Sequence, residues 1–563
     1  MPLRRVSPTR RYSLPILPAP FWSSSSMRYS SMFIASLAFL FWSSACCWGE
    51  EVGKWVRWEH TFTAANNTPD SADISVLLTS PSGKKIERRA FWDGGNTWKV
   101  RFQPNELGTW KFQTSARDNF PGLSDQTGSF QCVKNAGQTV FQQHGPVEVA
   151  PNGRYLQHAD GTPFFWLADT AWNGALLSDK KDWDTYLSDR QNKHFTAIQL
   201  VATQWRTAYQ NPEGQVAYEG GDSLKIHPEF FQRLDARIDA VNAHNLLAAP
   251  VMLWSLGDPS YTPGKLPTDQ ATKLAKYIEA RYGGNNVLWI LAGDENYKPQ
   301  RVDHWKAIGQ AVFGKRQHAP VTLHPQGMHW PFDPFADEDW LDVLIYQSGH
   351  GDHSNSLAWI HSGPPSKKWK QAPARPIINA EPPYEDHVAY QSKQPHTAYN
   401  IRRAAYWSLL NAPTAGVSYG AHGVWSWETK PNTPLNHGGS GIAKPWHEAM
   451  QLPGSTNMGY LAQLMTSIDW WTLQPNNTIL KSPSGKQDPA QHVSVSSSAA
   501  GDLLVAYLPV GGEVVLDTSL IPAVKKFTWF DPRTGQRTSA KPNKPGVFQA
   551  PDNHDWVLVG EAN

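Results

Sequence analysis

Residues 286–295 read NVLWILAGDE. Six apolar residues run without a charge and stop at Gly293, Asp294 and Glu295. A continuous apolar run that ends abruptly in polar groups is how a parallel strand buried on both faces reads. The same shape recurs on either side, in FFWLAD (164–169), FTAIQLVAT (195–203), LLAAPVMLW (246–254), APVTLHP (319–325), LDVLIYQSGH (341–350), PIINAEPPYE (376–385) and AGVSYGAHGVWSW (415–427). Between them lie stretches such as DWDTYLSDRQNK, HPEFFQRLDARIDAVNAHN, TDQATKLAKYIEARYG, RVDHWKAIGQAVF and TAYNIRRAAYWSLLNA. In the second of these Phe230, Leu234, Ile238 and Val241 recur at spacings of three and four, one face of a helix. Eight buried strands alternating with helices over about 270 residues fit an α/β fold, the (β/α)8 TIM barrel. The polar groups support this. The runs end at Asp169, Gln204, Trp254, Asp294, His324, Gln347, Glu381 and His422, and the carboxyl ends of barrel strands form the active-site face. An open doubly wound sheet would instead place a Gly-rich phosphate loop after an early strand, and none is present.

Outward from the barrel the rhythm changes. KWVRWEHTF, ISVLLTS, TWKVRFQP, GTWKFQTSA and GSFQCV are short alternating bursts separated by turn signals such as PSGKK and WDGGN. They predict an antiparallel β-sandwich over 50–140, followed by a linker near 143–153. The barrel is expected over 150–470, closed by a helix in GYLAQLMTSI. DLLVAYLPVGGEVVLDTS, KKFTWFDPRTGQ and DWVLVGEA predict a second β-sandwich over 475–563.

Residues 1–49 read as a leader. Arg28 precedes the uncharged run MFIASLAFLFW, and SSACCWG follows, a secretory pattern too short to span a bilayer. Met27 is a candidate start. Export to the periplasm or the exterior follows, with lipoprotein anchoring at Cys46 the lesser reading because the usual aliphatic residue before the Cys is missing. Cleavage would leave Cys132 alone, with no intrachain disulfide, and no later segment is apolar enough to cross a membrane. The sequence leaves the oligomeric state open. The 51 Lys and Arg against 49 Asp and Glu leave no basic excess for nucleic acid. The 27 Trp point, as composition alone can, to sugar faces stacked on indoles or to large cores.

The chemistry concentrates at two strand ends. Asp294 and Glu295 close the fourth run, and Glu381 closes the seventh, with Glu385 beyond a Pro-Pro turn. Carboxylates behind apolar runs cost desolvation free energy, so they serve chemistry, a cation or an ion pair. Retaining glycoside cleavage needs such a pair, one nucleophile and one acid/base, facing each other across a sugar. Ion pairs to Arg206 or Lys193 are the structural alternative. Asp169, Trp172, Gln204, Trp205, Trp254, His324, Gln347, Tyr384, His422 and Trp425 are the candidate sugar contacts, each with a packing or strand-capping alternative, as has Trp427. His350, Asp352 and His353 in SGHGDH do not have a strong metal-ligand spacing, and no metal or other cofactor is expected. Gly438–Gly441 is a loop candidate for the mouth of the site.

FFWLADTAW, WILAGD, AEPPYE and YGAHGVWSW together resemble the apiosidase-like glycoside hydrolases, glycoside hydrolase family 140 and its relatives. The stretch before the barrel resembles the β-sandwich often found ahead of that domain. LLVAYLPVGG with WFDPRTG resembles a C-terminal domain of collagen-binding type. The resemblance implies a TIM barrel, a retaining mechanism, and plant or algal glycans as substrate. It assigns the acid/base to an Asp after a Gly pair and the nucleophile to the Glu of an E-P-x-Y-E run, which match Asp294 and Glu381. This chain departs in having Ala292 for the first Gly and Glu295 directly after Asp294. A wider-clan pattern would make Glu295 the acid/base; Asp294 is preferred. The expected activity is therefore an exported, retaining glycoside hydrolase acting on an oligo- or polysaccharide. The rival is a non-catalytic glycan-binding protein on an inactive barrel.

Overall fold

The computed structural model describes residues 50–65, 68–314, 316–483 and 488–562. The leader read over 1–49, with Cys46 and Cys47, lies outside the described residues.

Eight parallel strands form one sheet. They are β1 (Trp166–Thr170), β2 (Ala197–Val201), β3 (Leu247–Trp254), β4 (Trp289–Gly293), β5 (Val321–Thr322), β6 (Leu344–Gln347), β7 (Ile377–Glu381) and β8 (Gly416–Tyr419). Their spatial order is β5-β4-β3-β2-β1-β8-β7-β6. Hydrogen bonds from the backbone N–H groups of Asp342 and Val343 to the carbonyl of Val321, 2.9 and 3.1 Å, close the seam between β5 and β6. The result is a (β/α)8 barrel. Almost every strand residue is buried, as the uninterrupted apolar runs require.

The helices follow the strands: α1 (Lys180–Asn192), α2 (Pro228–Ala243), α3 (Thr268–Tyr282), α4 (Pro299–Val312), α5 (Ser354–Ser362), α6 (Ala398–Leu410) and α7 (Pro453–Thr466). Phe230, Leu234, Ile238 and Val241 form the buried face of α2, as their spacing requires. Between β5 and β6 the connection carries only a single 3-10 turn, Asp333–Phe335. No helix among the described residues is long and apolar enough to cross a membrane.

Before the barrel, a five-stranded sheet (Glu51–Gly53, Thr127–Val133, Gly108–Ala116, Ile74–Thr79, Lys85–Arg89) and a three-stranded one (Trp58–Thr63, Thr97–Phe102, Phe91–Trp92) enclose a core of their own. The Glu51–Gly53 strand pairs parallel to its neighbour, a departure from the antiparallel pattern of the bursts. Cys132 is a buried free thiol in this core. The domain is fixed to the barrel by buried arginines: Arg101 on Asp235 at 2.8 Å, Arg281 on Asp235 and Asp93, and Arg89 on Glu279 at 3.0 Å. After the barrel, a six-stranded and a three-stranded antiparallel sheet form the last domain. Arg402 on α6 reaches Asp555 with two bonds of 2.7 and 2.8 Å, both groups buried. The Tyr406 and Tyr507 rings stack beside this pair at 4.8 Å.

Most of the tryptophans serve these cores. Trp58, Trp98, Trp110, Trp166, Trp183, Trp289, Trp305, Trp340, Trp407 and Trp470 are fully buried, so the Trp count speaks chiefly of packing.

Candidate active site

A cavity of about 310 Å³ opens at the carboxyl ends of the strands. Asp294 and Glu381 line it, with Trp172, Trp205, Trp254, Trp425, Gln347 and Tyr384 around them. One oxygen of each carboxylate and one ring nitrogen of His324 lie within 4.8 Å of one another.

Glu381 is the last residue of β7 and is 6% exposed. Gln347 Nε2, at the end of β6, donates to its Oε1 at 2.7 Å. His350 Nε2 stands 3.2 Å from the same oxygen, and His324 Nε2 stands 3.3 Å from Oε2. The backbone N–H of Tyr384 donates to His350 Nδ1 at 3.3 Å. That makes Nδ1 the acceptor and leaves the proton on Nε2, directed at Glu381. Burial alone would raise the pKa of Glu381. The contacts of His324 and His350 outweigh it and hold the carboxyl well below the usual range. Burial would lower the His324 pKa, but the bond to Glu381 raises it.

Asp294 follows β4 directly. Its φ of 51° is left-handed, a region Asp tolerates better than most residues. This turn separates it from its neighbour: Asp294 faces the cavity and Glu295 does not. Gly293 makes the approach possible, because a Cβ there would lie 2.4 Å from the Trp254 ring. One glycine meets that need, and Ala292 is accommodated in the core. Asp294 is partly open to the cavity and otherwise enclosed by protein. Burial, and then the charge of Glu381, push its pKa up to about 6, against the opposing pull of His324, Arg206 and His350. The two carboxyls are thus driven apart, one ionised and one protonated in mild acid.

Several polar atoms around the cavity have no protein partner: the indole N–H groups of Trp254 and Trp425, Gln347 Oε1 and Arg206 Nε. These are groups that a polyhydroxylated ligand can satisfy. Trp172 is held by its indole N–H on the Tyr384 hydroxyl at 3.1 Å. Burial and the charge of Glu381 keep the Tyr384 phenol protonated well past its usual range.

Other sequence candidates lie elsewhere. Glu295 is 4% exposed and accepts 2.8 Å bonds from Arg301 Nε, Trp305 Nε1 and its neighbour's N–H. It anchors α4 to the end of β4. Asp169 is completely buried between Arg190 Nε and the Tyr186 hydroxyl, both at 2.7 Å, an internal ion pair behind the first strand. Gln204 is spent on the backbone of Ala217 and Tyr218. Glu385 accepts from the Tyr419 hydroxyl at 2.6 Å and from the Gly454 N–H. His422 pairs with Ser440. Trp427 stacks on Trp446 at 4.7 Å in the core. None of these lines the cavity.

Residues without a sequence signal do line it. Gln326, His387, Tyr390 and His437 sit on loops after the strands, where no periodicity marks them, and Arg206, read from the sequence only as an ion-pair partner for the carboxylates, lines the cavity beside Asp294 and Glu381. His350 was visible in SGHGDH, but as a weak metal motif. Its partner is Glu381, while His353 bonds Ser356 and Asp352 accepts from the Ser392 N–H. Among the described residues the group able to hold an ion is Asp294, His324 and Glu381.

A family model described as the apiosidase-like catalytic domain matches residues 150–472, more than half of the chain. The chain belongs to the apiosidase-like family. Residues 51–117 match a domain of unknown function, DUF5060, and residues 475–561 match a collagen-binding-type domain of a collagenase. The fold is also that of solved glycoside hydrolases. One, named only as a glycoside hydrolase, is 24% identical over 74% of this chain and 97% of its own, with a TM-score of 0.66. A family 5 glycoside hydrolase from Bacteroides vulgatus is 24% identical over 74% of this chain and 93% of its own, with a TM-score of 0.65. A further glycoside hydrolase of that organism is 16% identical over 91% of this chain and 99% of its own, again at 0.65. No protein with a curated description matches. The apiosidase-like barrel thus shares its fold with solved glycoside hydrolases.

Proposed function

We propose that this apiosidase-like protein is an exported, retaining glycoside hydrolase acting on plant or algal glycans. Glu381 is the nucleophile and Asp294 the acid/base. The observation that carries this reading is the pairing of two carboxylates with oxygens within 4.8 Å and opposite pKa shifts. Retaining enzymes hold their carboxyls about 5–5.5 Å apart, whereas inverting enzymes leave room for a water at about 6.5–9.5 Å.

In the first step Glu381 attacks the anomeric carbon while Asp294 gives its proton to the departing oxygen. Gln347, His324 and His350 keep the nucleophile oriented and ionised. In the second step Asp294, now ionised, takes a proton from the attacking water, and the bond to Glu381 breaks. The free indole N–H groups of Trp254 and Trp425 would bind sugar hydroxyls. Export rests on the leader pattern, and the glycan source on the family resemblance.

The test is hydrolysis of a panel of nitrophenyl glycosides and of plant and algal polysaccharides. The wild-type protein should release sugar from at least one. Glu381→Gln should be lower by several orders of magnitude with its fold retained. Equal activity in both proteins, or none in the wild type across the panel, would contradict the reading.

A further inference from the structure

Large apolar side chains at the surface of the barrel are not scattered. Among the described residues they are Tyr261, Met328, Tyr390, Leu435 and Ile442, and all five sit on loops that follow a strand, on the side where the cavity opens. Such clustering around a cavity marks a binding surface. Tyr390 is 51% exposed, yet it also lines the cavity with Glu381 and Asp294. Its ring stands edge-on against His350, at 5.7 Å and 88°, which fixes its plane. Beyond Arg206 the Tyr209 and Tyr261 rings stack at 4.0 Å, with Tyr261 36% exposed. Asn436 Nδ2 ties this pair to the cavity wall, donating to the Tyr209 hydroxyl at 2.8 Å and to the Arg206 carbonyl at 2.6 Å.

We infer that this rim is a sugar-binding subsite beyond the one where the bond is cut. Tyr390 and the Tyr209–Tyr261 pair are platforms for the C–H faces of neighbouring units, so the ligand is a glycan chain rather than a monoglycoside. The inference rests on the glycosidase reading and names the length of its substrate. Rings held by other rings cost little further ordering when a ligand stacks on them, which suits a platform. The polar groups beside them, Arg206 and Asn436, are of the kind that bind the hydroxyl edge of a sugar.

The test uses the Glu381→Gln protein, which does not digest its ligand, in affinity electrophoresis. The native gels contain pectin, rhamnogalacturonan, arabinan, arabinogalactan, galactomannan or laminarin. At least one should retard the protein. Tyr390→Ala and Tyr261→Ala, added singly, should each weaken that retention by about 3- to 10-fold. Tyr390→Phe and Tyr261→Phe should retain it, because the ring and not the hydroxyl carries the contact. Circular dichroism establishes that the Ala variants are folded. Undiminished retention in the Ala variants, equal loss in the Phe variants, or no retention on any gel would overturn the subsite. A concentration-dependent doubling of mass, abolished by the same Ala substitutions, would assign the rim to a second copy of the chain and overturn it too. Hydrolysis by the wild type on the same panel keeps the two readings apart. Cleavage without rim-dependent retention rejects the subsite alone, and neither cleavage nor retention rejects both.

Discussion

Glu295→Ala should destabilise the protein without altering its chemistry. Its carboxylate accepts from Trp305 Nε1 and Arg301 Nε, both at 2.8 Å, and ties α4 to the end of β4. The Trp305 indole is fully buried, so its N–H would be left without a partner at a cost of about 1–3 kcal/mol. The charge-assisted bond to Arg301 is worth about 1.5–3 kcal/mol, toward the lower end because that side chain is 26% exposed. The loss should total about 3–4 kcal/mol, a large fraction of the stability of a typical domain. Burial would raise the Glu295 pKa, but the Trp305 and Arg301 bonds outweigh it and lower it. Its contribution is therefore present above the unfolded value of about 4.3 and is lost as pH falls through the lower folded value. Guanidinium unfolding followed by Trp fluorescence at pH 7 and at pH 3 should show a gap between the two proteins that narrows in acid. The rate ratio between poor and activated leaving groups should stay that of the wild type. An unchanged midpoint would refute the structural role, and a selective loss on poor leaving groups would make Glu295 the acid/base.

The proposed acid role requires a protonated Asp294, whose pKa is raised by burial and then by the charge of Glu381, while that of Glu381 is lowered. Activity as kcat/KM should therefore be highest in mild acid and fall as pH rises through the raised pKa of Asp294; a profile flat from pH 4 to 9 would contradict the pair. Asp294→Asn should lose about 10²–10⁴-fold on poor leaving groups, far less on activated aryl glycosides, and lose the alkaline limb of the profile. Asp169→Ala leaves the buried Arg190 with only the longer 3.4 Å contact to Asp189 and its bond to the Met450 carbonyl, so it should cost about 3 kcal/mol in denaturant unfolding, too much for a residue whose role is only to touch sugar. Arg402→Ala should cost a similar ~3–5 kcal/mol by stranding the buried Asp555 at the C-terminal joint, with kcat on folded protein unchanged.

The barrel was legible because parallel strands are buried on both faces and read as unbroken apolar runs. Glu381 and Asp294 were legible because a carboxylate behind such a run has few inexpensive explanations. Asp169, Glu385 and Glu295 also stand at or just past strand ends, and none of them lines the cavity. Each has a partner distant in sequence, Arg190, Tyr419 and Trp305, and strand-end position alone does not reveal such partners. Helix α5 was hidden because the GHGDH stretch before SNSLAWIHS reads as a loop. Tyr390, Gln326, His387 and His437 escaped for a related reason: they stand on irregular loops, and only closure of the barrel brings them to the cavity, as it brings His350 and Arg206, which the sequence offered only in other roles.

If Glu381 is the nucleophile and Asp294 the acid/base, cleavage proceeds with retention of configuration. Proton NMR of the anomeric region, recorded from the first minutes of hydrolysis of any substrate found in the panel, tests it most directly. The first-formed sugar should have the anomeric configuration of the substrate, before mutarotation mixes the two forms. A first product of opposite configuration would mean that water attacks directly, and would contradict the assignment of Glu381 as nucleophile.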